Sequence, residues 1–582
     1  MSDFIYTSSS TDAGMLATVL TSIYLTDPPV TQTFQGDWGA LAVTNSRYRG
    51  FQPVDEDKYL CVIIGGPVLC FRNNSFLVGN DSPDGTKAIM MRWLDGKMNW
   101  SEDLSGPFAA LLINKRDKII TWVTDLMLFI PVYQYGQGKR FAVGTHVDSL
   151  AQATKQRGNW DEASIADFII HDVVTYPYTF YTKIRQCRPA SLYIYHKGVD
   201  TSFDSLPAPY WVPEENNAYP GIDEAAESLR SGIKGYIDRV TDQMDHVAQF
   251  LSAGEDSRAV AGMLPEHIRR DAFIFLDRMN REGRIAEKVA KTYGVRFVPD
   301  FRTKTHYLDI MPEASRLVGS GHQYIHAHSL VFNRKHHLDR YTAVFGGYLA
   351  DSLLKAQYAL KSTMIKGYGF LPQRLTEGEM RSQRVSHPMF ADELLDVITS
   401  RRMNHLKEII KIRPVSAHEW FVLWPMTMRT TMPYFHSTRR LFSSYEPFMS
   451  SESVRCSASV KTEWKLNRAL FNRAFRPALK KSCLIRHADG RYPYLPWWAS
   501  FPFQVSTLAL RSIQRKFVSN KVNEGPWSDL REVSLMIDSC DKSPKMLVDA
   551  EYWINFSPKS CSFLQKLNIL QSCEILKKYK DE

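Results

Sequence analysis

No stretch of this 582-residue chain stays apolar for the roughly 18 residues a membrane-spanning helix needs, so no membrane partner is expected. The opening MSDFIYTSSSTDAGMLATVL puts no basic cluster ahead of its apolar residues, which argues against a secretory signal. Cysteine is sparse: eight residues, none in a CxxC pair. That scatter excludes a zinc ribbon or a disulfide frame and predicts reduced thiols in a cytoplasmic protein. Charge of one sign is also in short supply. The 72 Lys and Arg exceed the 62 Asp and Glu by only 10, too little to imply a nucleic-acid partner. Part of that excess is local, running from Arg439 and Arg440 through Arg468, Arg473 and Lys480 to Arg486. It reads as a solvated basic face, or as a surface that draws in an anionic substrate or a leader peptide.

What is present is an ordinary soluble composition, 44% hydrophobic and 23% charged, on a chain long enough for two to four domains. Its most informative stretch is Val247–Leu264, VAQFLSAGEDSRAVAGML. An apolar run to Leu251 breaks at Ser252-Ala253-Gly254-Glu255-Asp256-Ser257, and apolar residues then return at helical spacing from Ala259. Strand, small-residue loop and helix is the predicted order. Such a loop offers backbone N–H groups and hydroxyls to phosphate oxygens at a helix N-terminus. Asp256 would repel phosphate on its own, a conflict that Mg²⁺ held between carboxylate and pyrophosphate removes. The plain alternative is an Asp or Ser cap on an ordinary helix.

A second break of this kind is Tyr341–Leu354, YTAVFGGYLADSLL, where a strand predicted over 341–345 ends at Gly346 and Gly347 and Asp351 follows. Between the two lie His322, His326, His328, His336 and His337. His322 and His326 are one helical turn apart, so a metal pair is conceivable, although surface or pocket histidines fit the absence of neighbouring Cys or carboxylates better.

SAGEDS resembles the pyrophosphate loop SGGxDS of the N-type ATP pyrophosphatases, with Ala253 where that family has Gly. The flanking segments resemble the asparagine synthetase superfamily: Gly347, Asp351 and Leu353 fit its G-x-G-G-D-E-L loop, with Ala350 and Ser352 as departures. The resemblance implies ATP and Mg²⁺ as cofactors. Leu251, Ser252, Ala253, Gly254, Glu255, Asp256 and Ser257 with Gly346 and Gly347 would hold the nucleotide, and Asp256 and Asp351 the metal. The family's late Lys, which stabilises developing negative charge, has no counterpart in register within Ile485–Arg491. Arg486 and Arg491 are the expected replacements.

The first 205 residues read as β-rich, with strands predicted at 59–64, 67–71, 108–113, 119–123 and 141–143 and a hairpin at Gly65-Gly66. Leu104, Gly106, Phe108, Asp125, Pro131 and Tyr133 resemble the glutaminase half of the same superfamily. That half uses a Cys at its mature N-terminus, whereas this sequence starts Met1-Ser2-Asp3. Ser2 could take the role only after loss of Met1. The expected architecture is therefore α/β: an αββα Ntn-hydrolase-like domain over 1–205 that has lost its chemistry, a Pro-rich linker over 206–222, a doubly wound parallel-sheet PP-loop synthetase domain over 223–500, and a helical extension over 501–582.

The function these features imply is an ATP-dependent ligase that adenylates a small-molecule or peptide carboxylate and passes the acyl group to an amine or ammonia. A homodimer is possible. Two alternatives stay open: a non-catalytic descendant that binds nucleotide or a partner, and a tRNA-modifying pyrophosphatase, against which the unpaired cysteines speak.

Overall fold

A computed structural model of the chain describes residues 3–9, 13–78, 82–199, 207–363, 372–376, 384–517 and 561–577. Apolar residues that alternate or run continuously in the first two hundred positions build two antiparallel sheets. One has six strands in the order Ile184–Gln186, Tyr133–Gln137, Arg140–Gly144, Phe4–Thr7, Gly39–Thr44 and Thr31–Gly36. The other has five, in the order Leu192–His196, Ile119–Thr124, Phe108–Asn114, Tyr59–Gly65 and Val54–Asp55. Phe4, Tyr6, Leu41 and Val43 of the first sheet share a core with Leu60, Val62, Leu111 and Val123 of the second. On the far side, Ile5, Ala40 and Ala42 pack under helices Ala13–Thr21, Val147–Ala153 and Glu162–His171. Helix Asp84–Leu94 covers the second sheet, completing an αββα sandwich.

The hairpin expected at Gly65-Gly66 does not form. Tyr59–Gly65 pairs with Phe108–Asn114, while Val68–Leu69 leaves to pair with Leu104–Ser105. Pro67 has no N–H to give a returning ladder, and Gly65 adopts φ +94°, which turns the chain out of the sheet.

Past helix Ile222–Thr241 the period switches to alternating strands and helices, and the sheet becomes parallel. Its order is Arg296–Phe301, Arg269–Leu276, His246–Phe250, Val344–Phe345 and Ser444–Tyr445. Helices lie on both faces, because Val247 and Phe345 enter one core while Ala248, Phe273 and Val344 enter the other. The strand predicted over 341–345 is only Val344–Phe345. The helical reading of residues 392–475 misses the edge strand Ser444–Tyr445, since two residues are too few to show any period. Consecutive strands step from His246–Phe250 toward one edge, and the chain then returns to the other side at Val344. That reversal opens a crevice at the carboxyl ends of the two central strands. Among the described residues no helix is long and apolar enough to cross a membrane.

Candidate active site

Both singled-out loops leave adjacent central strands at the crevice. After Phe250 the chain crosses Leu251–Gly254 and enters helix Glu255–Met263, so Glu255 and Asp256 fall in the first turn, where the helix dipole favours negative charge. Ser252 and Ser257 close the loop: the Ser252 N–H donates to Ser257 Oγ at 3.1 Å, the two hydroxyls meet at 3.1 Å, and the Gly254 N–H donates to Ser252 Oγ at 3.0 Å. The fully buried Arg258 clamps the loop from behind, donating to the Ala253 carbonyl at 2.9 Å and to the Ile485 and Arg486 carbonyls at 2.8 and 3.0 Å. Ala253 is absent from the residues with positive φ, so the methyl group that departs from the family pattern costs no backbone strain.

The second loop follows Phe345. A Cβ on Gly347 would stand 2.9 Å from the Ser257 nitrogen and 3.0 Å from the Asp256 carbonyl carbon, so glycine is what lets the loops touch. A Cβ on Gly346 would lie 2.2 Å from a carboxyl oxygen of Glu446. Leu349, and not the departing Ala350, takes the left-handed conformation at φ 73°, and the short helix Ala350–Leu354 places Asp351 beside the first loop.

The two predicted metal-binding carboxylates do converge, but on an ammonium group. Lys355 Nζ lies 2.9 Å from Glu255 Oε1, 2.9 Å from Asp351 Oδ1 and in short contact with Asp256 Oδ1. Glu255 also meets Arg468 Nε at 2.8 Å and Arg491 at 3.3 Å. The Lys355 ammonium thus stands between the two carboxylates, in the place where the resemblance expects Mg²⁺. Among the described residues no group of three or more His, Cys, Asp or Glu is arranged to hold a metal ion.

Burial opposes ionisation of Glu255, but the Arg491, Lys355 and Arg468 charges overcome it and hold its carboxyl well below the usual range. Asp256 goes the other way, pushed up to about 7 by burial and by the Asp351 and Glu255 charges, because one ammonium cannot satisfy three carboxylates equally. Burial works against charge on Lys355, and Asp256, Glu255 and Asp351 outweigh it, raising its pKa.

Of the two arginines expected to replace the late Lys, the structure brings in one. Arg491 is held by Asp489 at 2.8 Å and reaches Glu255. Arg486 turns outward: its Nε donates to Tyr492 Oη at 2.9 Å and its guanidinium lies over the Tyr492 and Phe503 rings. Sequence reading missed Lys355, Arg468 and Glu446. The Asp351–Lys355 spacing of four is a legible sign of an ion pair on one helix face; Arg468 is legible only as part of the basic stretch, and nothing local points to Glu446.

Two cavities flank the cluster. One of about 400 Å³ is bordered by Ser252, Asp256, Ser257 and Gly347 and walled by Phe250, Phe273, Phe275, Tyr307 and Tyr434. The other, about 420 Å³, is bordered by Glu255, Asp351, Lys355, Lys361, Arg468 and Arg491. His326 and His328 line the first cavity, burial lowering their pKa to about 4 and about 3. The His322–His326 metal pair is not formed, since His322 Nε2 is 3.1 Å from Tyr133 Oη and His326 Nε2 is 3.3 Å from Gln323 Oε1.

The basic stretch is not one face. Arg439 and Arg440 are buried against Asp3, and Lys465 against Glu419, while Arg473, Arg476 and Lys480 are exposed. In the N-terminal sandwich, Asp3 at the head of the first strand accepts from Arg439 at 2.9 Å, Arg440 at 2.8 and 2.9 Å, and Thr145 at 2.9 Å. Ser2, considered above as a nucleophile, lies outside the described residues. Gly66 is packed against Tyr48, whose ring stands 2.1 Å from the position of an added Cβ.

Comparison with known proteins places residues 40–211 in register with a glutamine amidotransferase domain. That match, together with the αββα layering, makes the N-terminal sandwich glutamine-amidotransferase-like. No curated protein sequence matches the chain. A solved structure described as the allosteric regulatory enzyme of purine biosynthesis is similar at 10% identity and a TM-score of 0.26, over 48% of this chain and 66% of that one. This chain therefore spans just under two thirds of that protein's length.

Proposed function

We propose that the C-terminal domain activates a carboxylate with ATP and passes the acyl group to an amine, as ligases of the asparagine synthetase superfamily do. The observation that carries this reading is the meeting of the two loops between two cavities of different chemistry. The ring-walled cavity suits a purine base stacked on aromatic faces. Beside it, Ser252, Ser257 and the N-terminus of helix Glu255–Met263 suit a triphosphate. The cavity with Lys361, Arg468 and Arg491 on its walls suits a carboxylate substrate.

In the reaction this layout serves, a carboxylate oxygen of the substrate attacks the α-phosphorus. The bond from that phosphorus to the bridging oxygen breaks and pyrophosphate leaves with the electron pair. The amine then attacks the acyl carbon, AMP departs, and the amine proton passes to solvent. The residues orient and screen; the fixed charges of Arg468 and Arg491 face the substrate without reorganising. Magnesium enters this reading as the ion that accompanies ATP, with no residue assigned to it. The amine is either ammonia or one carried by the substrate itself.

Pyrophosphate exchange into ATP, run across a panel of small acids and peptides, tests the reading. The expected result is exchange with a cognate acid, reduced by about 100-fold or more in Arg491→Ala. A second reading, a nucleotide-binding descendant without catalysis, is favoured by the Lys355 side chain filling the space between the carboxylates. ATP binding by calorimetry without exchange on any acid would select it. Absence of both binding and exchange would remove the first reading and the second together.

A further inference from the structure

We infer that Lys355 is the resident cation of this site, its ammonium filling the seat between Asp256 and Asp351 where the family resemblance expects a divalent metal. An ammonium has three N–H groups, and here three carboxylates take them: Glu255 and Asp351 at 2.9 Å each, with Asp256 in closer contact. The remaining side is closed by the Phe471 ring, whose centroid is 4.3 Å from Nζ. The Lys355 side chain is 7% exposed, a burial that a lysine tolerates only when its charge is matched.

Charge balance points the same way. Lys355, Arg468 and Arg491 bring three positive charges into direct contact with Glu255, Asp256 and Asp351, and Asp489 backs Arg491 at 2.8 Å. Cationic side chains of the chain itself therefore face every carboxylate of the cluster without any further ion. A divalent ion in the same seat would have to expel the ammonium and would leave an uncompensated buried charge. Lys355 also reaches the cluster from the second loop while two of its partners belong to the first, so the cation that ties the loops together is part of the chain. This inference does not rest on the ligase reading, and its test contains no nucleotide.

The full-length protein, stripped of metal with a chelator, is titrated with Mn²⁺ by electron paramagnetic resonance and melted with and without Mn²⁺. The wild type is expected to show no Mn²⁺ site that depends on Asp351, and an unmoved melting temperature. Lys355→Ala leaves the carboxylates uncompensated; it is expected to melt lower, to bind one Mn²⁺ roughly tenfold or more tighter than the wild type, and to recover stability in its presence. The pair Lys355→Ala with Asp351→Asn is expected to lose that gained site, and Lys355→Arg to behave as wild type without it. A wild-type Mn²⁺ site abolished by Asp351→Asn overturns the inference, as does a folded Lys355→Ala that gains none. Should Lys355→Ala fold only with Mn²⁺ present, the inference is supported; should it fail to fold under either condition, the wild-type and Asp351→Asn titrations decide.

Discussion

At the scale of single residues, buried charge divides into pairs that are matched and groups that are not. Asp3 is fully buried. Burial opposes its ionisation, yet Arg439 and Arg440 hold its carboxyl far below the ordinary range. Asp3→Ala leaves two guanidinium groups buried without a counter-charge, and is expected to cost about 3–5 kcal/mol in a denaturant titration. Glu446 is an unmatched case. Burial raises its carboxyl from 4.5 to about 8, with the Tyr348 N–H at 2.9 Å as its backbone partner. Between those two values the folded state keeps a proton that the unfolded state releases, so this residue makes stability fall as pH rises from about 4.5 to about 8 and leaves it level above. Glu446→Gln, neutral throughout, is expected to flatten that slope and to stabilise the protein at pH 9 relative to wild type by an amount on the order of a few kcal/mol. Denaturation midpoints at pH 6 and 9 measure both halves of the claim.

At the scale of elements, the two loops were legible because strand, glycine break and helix follow one another in a few residues. Val247 through Ser257 shows all three, and the structure differs mainly in starting the helix at Glu255 instead of Ala259. The ligand of the carboxylates was not legible in the same way. Lys355 is signalled only by its spacing of four from Asp351, which says nothing of Glu255 or Asp256, and Arg468 sits more than a hundred residues away. Helix Glu255–Met263 is fixed by close contact: a Cβ on Gly262 would stand 2.0 Å from the Ala478 carbonyl oxygen. Gly262→Ala is therefore expected to cost about 1–3 kcal/mol by overpacking. Because the same helix carries Glu255 and Asp256, the ligase reading we propose expects it also to weaken ATP binding more than an equally destabilising change in the N-terminal sandwich would. Calorimetric titration of both variants separates the two effects.

At the scale of the molecule, the sandwich and the parallel sheet are not separate cores. One apolar cluster runs from Phe4 and Leu111 to Trp420 and Phe475; the other joins Ile5 and Phe168 to Phe273 and Leu567. Helix Phe563–Lys577, part of the stretch read in sequence as a helical extension, helps to seal this union. Asn568 donates to the Phe168 carbonyl at 3.0 Å and to Asp172 at 2.7 Å, while Gln571 donates to the His322 carbonyl at 2.6 Å. The chain is expected to unfold in a single calorimetric transition, and the pair Asn568→Ala with Gln571→Ala to lower that transition as a whole. Two resolved transitions, with only one of them moved, would contradict the shared core.

The sequence by itself determined the elements whose signals are local: the change from antiparallel to parallel strands, the two glycine-broken loops, and the carboxylates that follow them. Period and turn chemistry act over a handful of residues, so they can be read along the chain. Only the tertiary structure decided what those carboxylates face. Which cation reaches Asp256, which arginine turns inward and which basic residues are buried depend on contacts between segments far apart in sequence, and desolvation is fixed by packing, not by neighbours in the chain.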